Sequence, residues 1–166
     1  MGLFGFGKKK VSVDDMAMQA MLTAVKVVGK VENFEDADDG KAMVISMGYF
    51  YGFLKLHLNS ITRLDTANTI IEKSLANLAE ATKGKPEFAN IAPKVRYSAN
   101  IALESMKDEL RKRPENPFMG VAVDYLKELY NNPPSIDIGK MMTMAQSMQL
   151  LYGTASNLTR DIKIVK

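Results

Sequence analysis

A lone histidine, a methionine-rich stretch and an acidic loop are the parts of this chain best suited to chemistry. His57 is the only imidazole, and it lies in "GYFYGFLKLHLNSI", residues 48–61. A general base needs a nucleophile or an orienting carboxylate converging on it, and no sequence pattern here supplies one. The expectation is a histidine within a helix contact, able to loosen that contact if it titrates near neutral pH. Met141, Met142, Met144 and Met148 bring thioethers together. Thioethers suit Cu(I), but they also fill core gaps or line adaptable helix-binding grooves. With no cysteine and one histidine to complete a soft-metal set, packing or a groove is the better reading.

The acidic stretch "ENFEDADDGK" fails as a calcium loop. Aligning Gly40 with the central glycine of an EF-hand puts Ala37 at the third position and Ser46 at the last, where ligands are required. The glycines of "GLFGFG" lack the following Lys-Ser/Thr pair of a phosphate loop. One histidine cannot provide the two Glu-x-x-His pairs of a di-iron bundle. The catalytic, cofactor and metal sets are therefore expected to be empty, and the chain is expected not to be an enzyme.

The elements that hold these residues read as helices. The chain has 166 residues, 46% hydrophobic and 25% charged, enough for one domain with a real core. Ser12 followed by Asp14 and Asp15 marks a helix start, and a helix is expected over about 13–31. From Met43 to Leu78 apolar residues alternate at spacings of four and three, through Met47, Phe50, Leu54, His57, Ile61, Leu64, Asn68, Ile71 and Leu75. This heptad pattern, unbroken by proline, favours one long helix, straight or bent, over about 41–82, with two helices meeting near Asn59 and Ser60 as the alternative. Gly48 and Gly52 are its expected bend or close-contact points. Gly84 and Pro86 stop it.

A third helical region is expected over about 87–112, divided by Pro93, a fourth from Asn116-Pro117 to about Tyr130, and a last from near Asp137 past 158. The tail "DIKIVK" alternates like a strand, but with no convincing partner it reads as a frayed helix end or an extended tail. The sum is an all-α, single-domain bundle of about five helices over 1–166, with 1–11 as a flexible basic and aromatic tip.

Two apolar helices longer than their neighbours can cover suggest a surface for binding. The function expected is a helical protein–protein interaction or assembly module, self-associating, with an interface of Phe50, Leu54, His57, Ile61, Leu64, Met141, Met144, Met148 and Leu151. Two other classes compete. Leu3, Phe4 and Phe6 with Lys8, Lys9 and Lys10 could touch an anionic membrane surface. The basic region 83–113, with Lys83, Lys85, Lys94, Arg96, Tyr97 and Arg111 to Arg113, could hold nucleic acid, although Glu87, Glu104, Asp108 and Glu109 dilute it. A secretory leader is not expected, because the lysines follow the apolar run instead of preceding it. The absence of cysteine is compatible with a reducing cytoplasm.

Overall fold

A computed structural model describes residues 7–133 and 135–165, the side chain of Glu87 excepted. Among these residues the chain forms six α-helices: α1 (Val13–Val28), α2 (Asp39–Ile61), α3 (Leu64–Ala81), α4 (Ile91–Lys112), α5 (Phe118–Leu129) and α6 (Ile138–Thr159). Two short strands, β1 (Lys9–Ser12) and β2 (Ile162–Val165), pair in parallel. The fold is an all-α bundle, and no helix among the described residues is long and apolar enough to cross a membrane.

Side-chain caps start three of the helices. Ser12, Asp38 and Asp137 accept from the backbone N–H groups of Asp15, Lys41 and Lys140 at 3.0, 2.6 and 2.8 Å, satisfying donors that the first helical turn leaves free. Pro93 does not divide a helix. It falls in the first turn of α4, where a missing N–H costs nothing. The boundary before it lies at Asn90, whose left-handed φ of 56° ends the 3-10 turn Pro86–Phe88.

The expected helix over 41–82 is two helices. The chain leaves helical geometry at Thr62 and Arg63, both extended, with no glycine or proline at the break. Ser60 donates back to the carbonyl of His57 at 2.6 Å in the last turn of α2. Packing supplies the reason for the fold-back. α3 lays Ala67, Ile70, Ile71, Leu75 and Leu78 chiefly against α1 and buries them. A straight continuation of α2 would carry that face away from the bundle.

α2 is the axis of the molecule and touches all five other helices. Tyr49, Phe50, Tyr51, Phe53, Leu54 and Leu58 along it are fully buried. Its closest neighbour is α4, because Gly48 and Gly52 offer no side chain there. A Cβ on Gly48 would overlap Ser98, and one on Gly52 would sit 2.5 Å from the carbonyl oxygen of Ala99. Buried hydroxyl pairs tie α2 to other helices: Tyr51 to Ser74 of α3 at 2.7 Å, and Tyr125 of α5 to Ser46 at 2.9 Å.

The tail also departs from expectation. Residues 162–165 are neither frayed helix nor free tail but a strand, and their partner is the segment read as part of a flexible tip. Lys9 pairs with Ile162, Lys10 with Lys163, Val11 with Ile164 and Ser12 with Val165. Val11 is buried, and Ile162 and Ile164 pack on the core beside it. Residues 1–6 of the expected tip, including Leu3, Phe4 and Phe6, lie outside the described residues.

Candidate functional site

The residues expected to form an interface divide sharply. Phe50, Leu54, Met144, Met148 and Leu151 are all 0% exposed, so they form the core and present no surface to a partner. The apolar excess of α2 is consumed inside the bundle, because α2 is in contact with all five other helices; α6 buries Met144, Met148 and Leu151 but leaves Ile138, Met142 and Leu150 exposed. His57, Ile61 and Met141 are half-buried, and Leu64 is exposed at the first residue of α3. His57 lies among aromatics, its ring 4.6 Å from that of Tyr152, which also meets Phe53 and Phe118 edge-on. Its Nε2 is buried without a partner, and burial lowers its pKa below 6.5, opposed by the backbone near Tyr152. Protonation of His57 is displaced toward acid by this burial.

Another apolar surface lies where the sequence reading placed none. α1 buries its small residues Ala17, Ala20 and Ala24 completely, together with Met16, and leaves Met21 only slightly exposed. Its larger Met18, Leu22 and Val25 remain 45%, 48% and 52% exposed. With about 100° between successive residues, these three share one stripe opposite the core, where a surface helix carries charge. Alanines inward let α1 lie close to α3, which forces the bulky residues out. Asp15 near the start and Lys26 near the end flank the stripe, both exposed.

The stripe runs into an apolar groove of about 700 Å³ between α1, α2, α3 and the Pro86–Phe88 turn. Leu22 and Val25 form one wall, with Met21, Met43, Met47 and Phe88 among the rest. Methionine does line a groove, but the three belong to α1 and α2; Met144 and Met148 of α6 are core. Thioether walls adapt their shape to what they meet.

A second groove, of about 1120 Å³, opens between α2, α4 and the end of α5. Its polar groups largely engage one another. Lys41 donates to the carbonyl of Leu129 and the Asn131 side chain at 2.8 and 2.7 Å. Ser98 donates to Glu128, and Lys127 lies 3.5 Å from Asp124. Burial raises the Glu128 pKa against the opposing Ser98 bond, and one carboxylate oxygen is buried without a partner. The hydroxyl of fully buried Tyr49 is likewise unpaired.

The acidic loop is structural in its geometry. Asp38 caps α2, Asp39 accepts from Asn33, and Asp36 binds Lys140 at 2.5 Å and the Tyr130 hydroxyl at 2.7 Å. Lys140 also lies over the Phe34 and Tyr130 rings. Among the described residues no group of three or more His, Cys, Asp or Glu is placed to hold a metal ion. The cations of the 83–113 region are mostly paired: Arg96 with Glu72, Lys107 with Glu104, Lys112 with Asp108 and Arg113 with Glu109.

No protein-family model, curated protein or solved structure matches this chain.

Proposed function

We propose that this chain is a non-enzymatic assembly module that acts by binding a second copy of itself through α1. The observation that carries the reading is the solvent-facing stripe of Met18, Leu22 and Val25, continuous with the methionine-lined groove. Apolar stripes of this kind, continuous with a groove, mark interaction surfaces. The occupant is argued from charge. An antiparallel pair of α1 helices crossing at Leu22 sets the Asp15 end of each copy beside the Lys26 end of the other. The flank that carries Asp15 also carries Lys26, so every facing pair is of opposite sign. In that arrangement the second copy's Met18 falls near Val25, at the mouth of the groove.

The interface expected on α2 and α6 moves to α1 in this reading, while the class of function stays the same. No disulfide is required, which fits a reducing cytoplasm.

The absence of cysteine makes the test direct. A single Leu22→Cys variant places one thiol per chain at the crossing point. Mild oxidation is expected to give a disulfide-linked dimer in high yield, while a Tyr97→Cys variant, exposed on α4, is expected to stay largely monomeric. Equal cross-linking of the two variants would refute pairing through α1.

A further inference from the structure

Two carboxylates of α5 line the groove between α2, α4 and the end of α5, and their surroundings differ. Asp124 accepts from the Ser105 hydroxyl at 2.7 Å and has Lys127 at 3.5 Å. Glu128, one turn further on, accepts from Ser98 on one oxygen, while its other oxygen is buried without a partner. Among the described residues no cation lies within ion-pair distance of Glu128. Buried Glu109 shows the ordinary arrangement, with Arg113 donating to both its oxygens at 2.9 and 2.8 Å. Like charges four residues apart on a helix repel, so the Asp124–Glu128 pair carries a cost that an incoming cation would offset. The fully buried Tyr49 hydroxyl is also unpartnered; burial, and then the charges of Glu128 and Asp124, raise its pKa. Buried polar atoms without partners are few in folded proteins, and this carboxylate and the hydroxyl it acts on are two of them.

The chemistry of a ligand follows from what is unmet. Lys41 is engaged by the Leu129 carbonyl and Asn131, Lys127 stands beside Asp124, and Lys94 is exposed. The unmet group is therefore an acceptor, and the ligand must bring a donor. Two carboxylates fall short of a set that could hold a metal ion. The rest of the wall is apolar at Val44, Ile45 and Ile101, with the 66% exposed Tyr97 ring beside them. We propose that this groove binds a small organic amine, its ammonium group on Glu128 and its apolar body along Val44, Ile101 and Tyr97. Hydrogen bonds between charged partners are about twice as strong as neutral ones, and an ammonium beside Glu128 favours the ionised carboxylate. The groove, of about 1120 Å³, has room for a small molecule.

The test titrates the full chain at neutral pH with 2-phenylethylamine and with hexylamine, followed through backbone amide shifts by NMR. The neutral 2-phenylethanol and the anionic 3-phenylpropanoate are the controls. Both amines are expected to bind, with shifts gathered at Val44, Ser98, Ile101 and Glu128, and both controls to bind about tenfold more weakly or worse. Glu128→Gln keeps an acceptor for Ser98 and removes the charge, so it separates a binding role from a structural one. It should stay folded, lose about tenfold or more in affinity for both amines, and leave the weak binding of 2-phenylethanol unchanged. Tyr97→Ala should lower amine affinity about two- to fivefold. Four results would each overturn the proposal: no binding of either amine at millimolar concentration, controls that bind as well as the amines, undiminished amine affinity in Glu128→Gln or Tyr97→Ala, or shifts gathered along the methionine-lined groove of α1 instead.

Discussion

Gly52 illustrates how a single position can oppose local propensity to tertiary contact. In an isolated helix, Gly→Ala is stabilising by about 1 kcal/mol. Here the new methyl would meet the Ala99 carbonyl and the Ala102 side chain, backbone and short side chain that have no room to give. Gly52→Ala is therefore expected to destabilise the fold by about 1–3 kcal/mol, measured by chemical denaturation; a gain in stability would show that α2 and α4 are further apart. Glu128 gives a second residue-scale prediction. Burial raises its folded pKa above 4.5, so its contribution is fully present below 4.5 and is lost as pH rises through the folded value. Glu128→Gln keeps an acceptor for Ser98 and removes the charge. The variant should gain stability relative to the parent at neutral pH, and the gain should shrink in acid. A difference independent of pH would contradict the burial of this carboxylate.

At the scale of elements, much of the bundle was legible, and the failures have identifiable causes. Ser12 and Asp137 announced helix starts, and Gly48 and Gly52 announced close contact, because capping and steric rules act locally. The break at Thr62–Arg63 lies close to the alternative junction near Asn59 and Ser60, but the spacing of apolar residues continues unbroken through it and hid it behind the favoured single helix. His57, Ile61 and Leu64 keep the period while losing burial, and the face of Ile70 to Leu78 belongs to α1 instead. The ribbon of β1 and β2 was hidden for another reason: its strands lie at opposite ends of the sequence, and only folding brings the partner of Ile162 and Ile164 into view. A two-stranded sheet has little stability of its own, and the core beneath Val11 holds this one. Truncation after Asp161 is expected to leave hydrogen-exchange protection of α2 and α4 unchanged while abolishing that of residues 9–12. A global loss of protection would make the ribbon part of the cooperative core.

Over the whole molecule, five of the nine residues expected at an interface are core: that expectation equated apolar length with exposed apolar area. Phe50, Leu54, Met144 and Met148 are the residues most strongly marked by the pattern, and for that reason they are the core. The exposed stripe on α1 is made of what that helix could not bury, since its alanines fit against α3 and Met18, Leu22 and Val25 did not. The spacing of Ala17, Met21, Ala24 and Val28 does mark the buried face, but Met18, Leu22 and Val25 are also spaced by four and three, and side-chain volume decides that they stay outside. In a symmetric pair each interface residue appears twice, and burying a leucine contributes about 1.5–3 kcal/mol. Replacing both copies of Leu22 by a charge should therefore weaken association by about a hundredfold or more. Sedimentation equilibrium over a range of concentrations, on the parent chain and on Leu22→Glu, measures this directly. Self-association through α1 predicts a parent dimer and a folded Leu22→Glu monomer whose melting temperature, unlike the parent's, does not depend on concentration. A parent chain that is monomeric at every concentration, or a Leu22→Glu variant as dimeric as the parent, would contradict it.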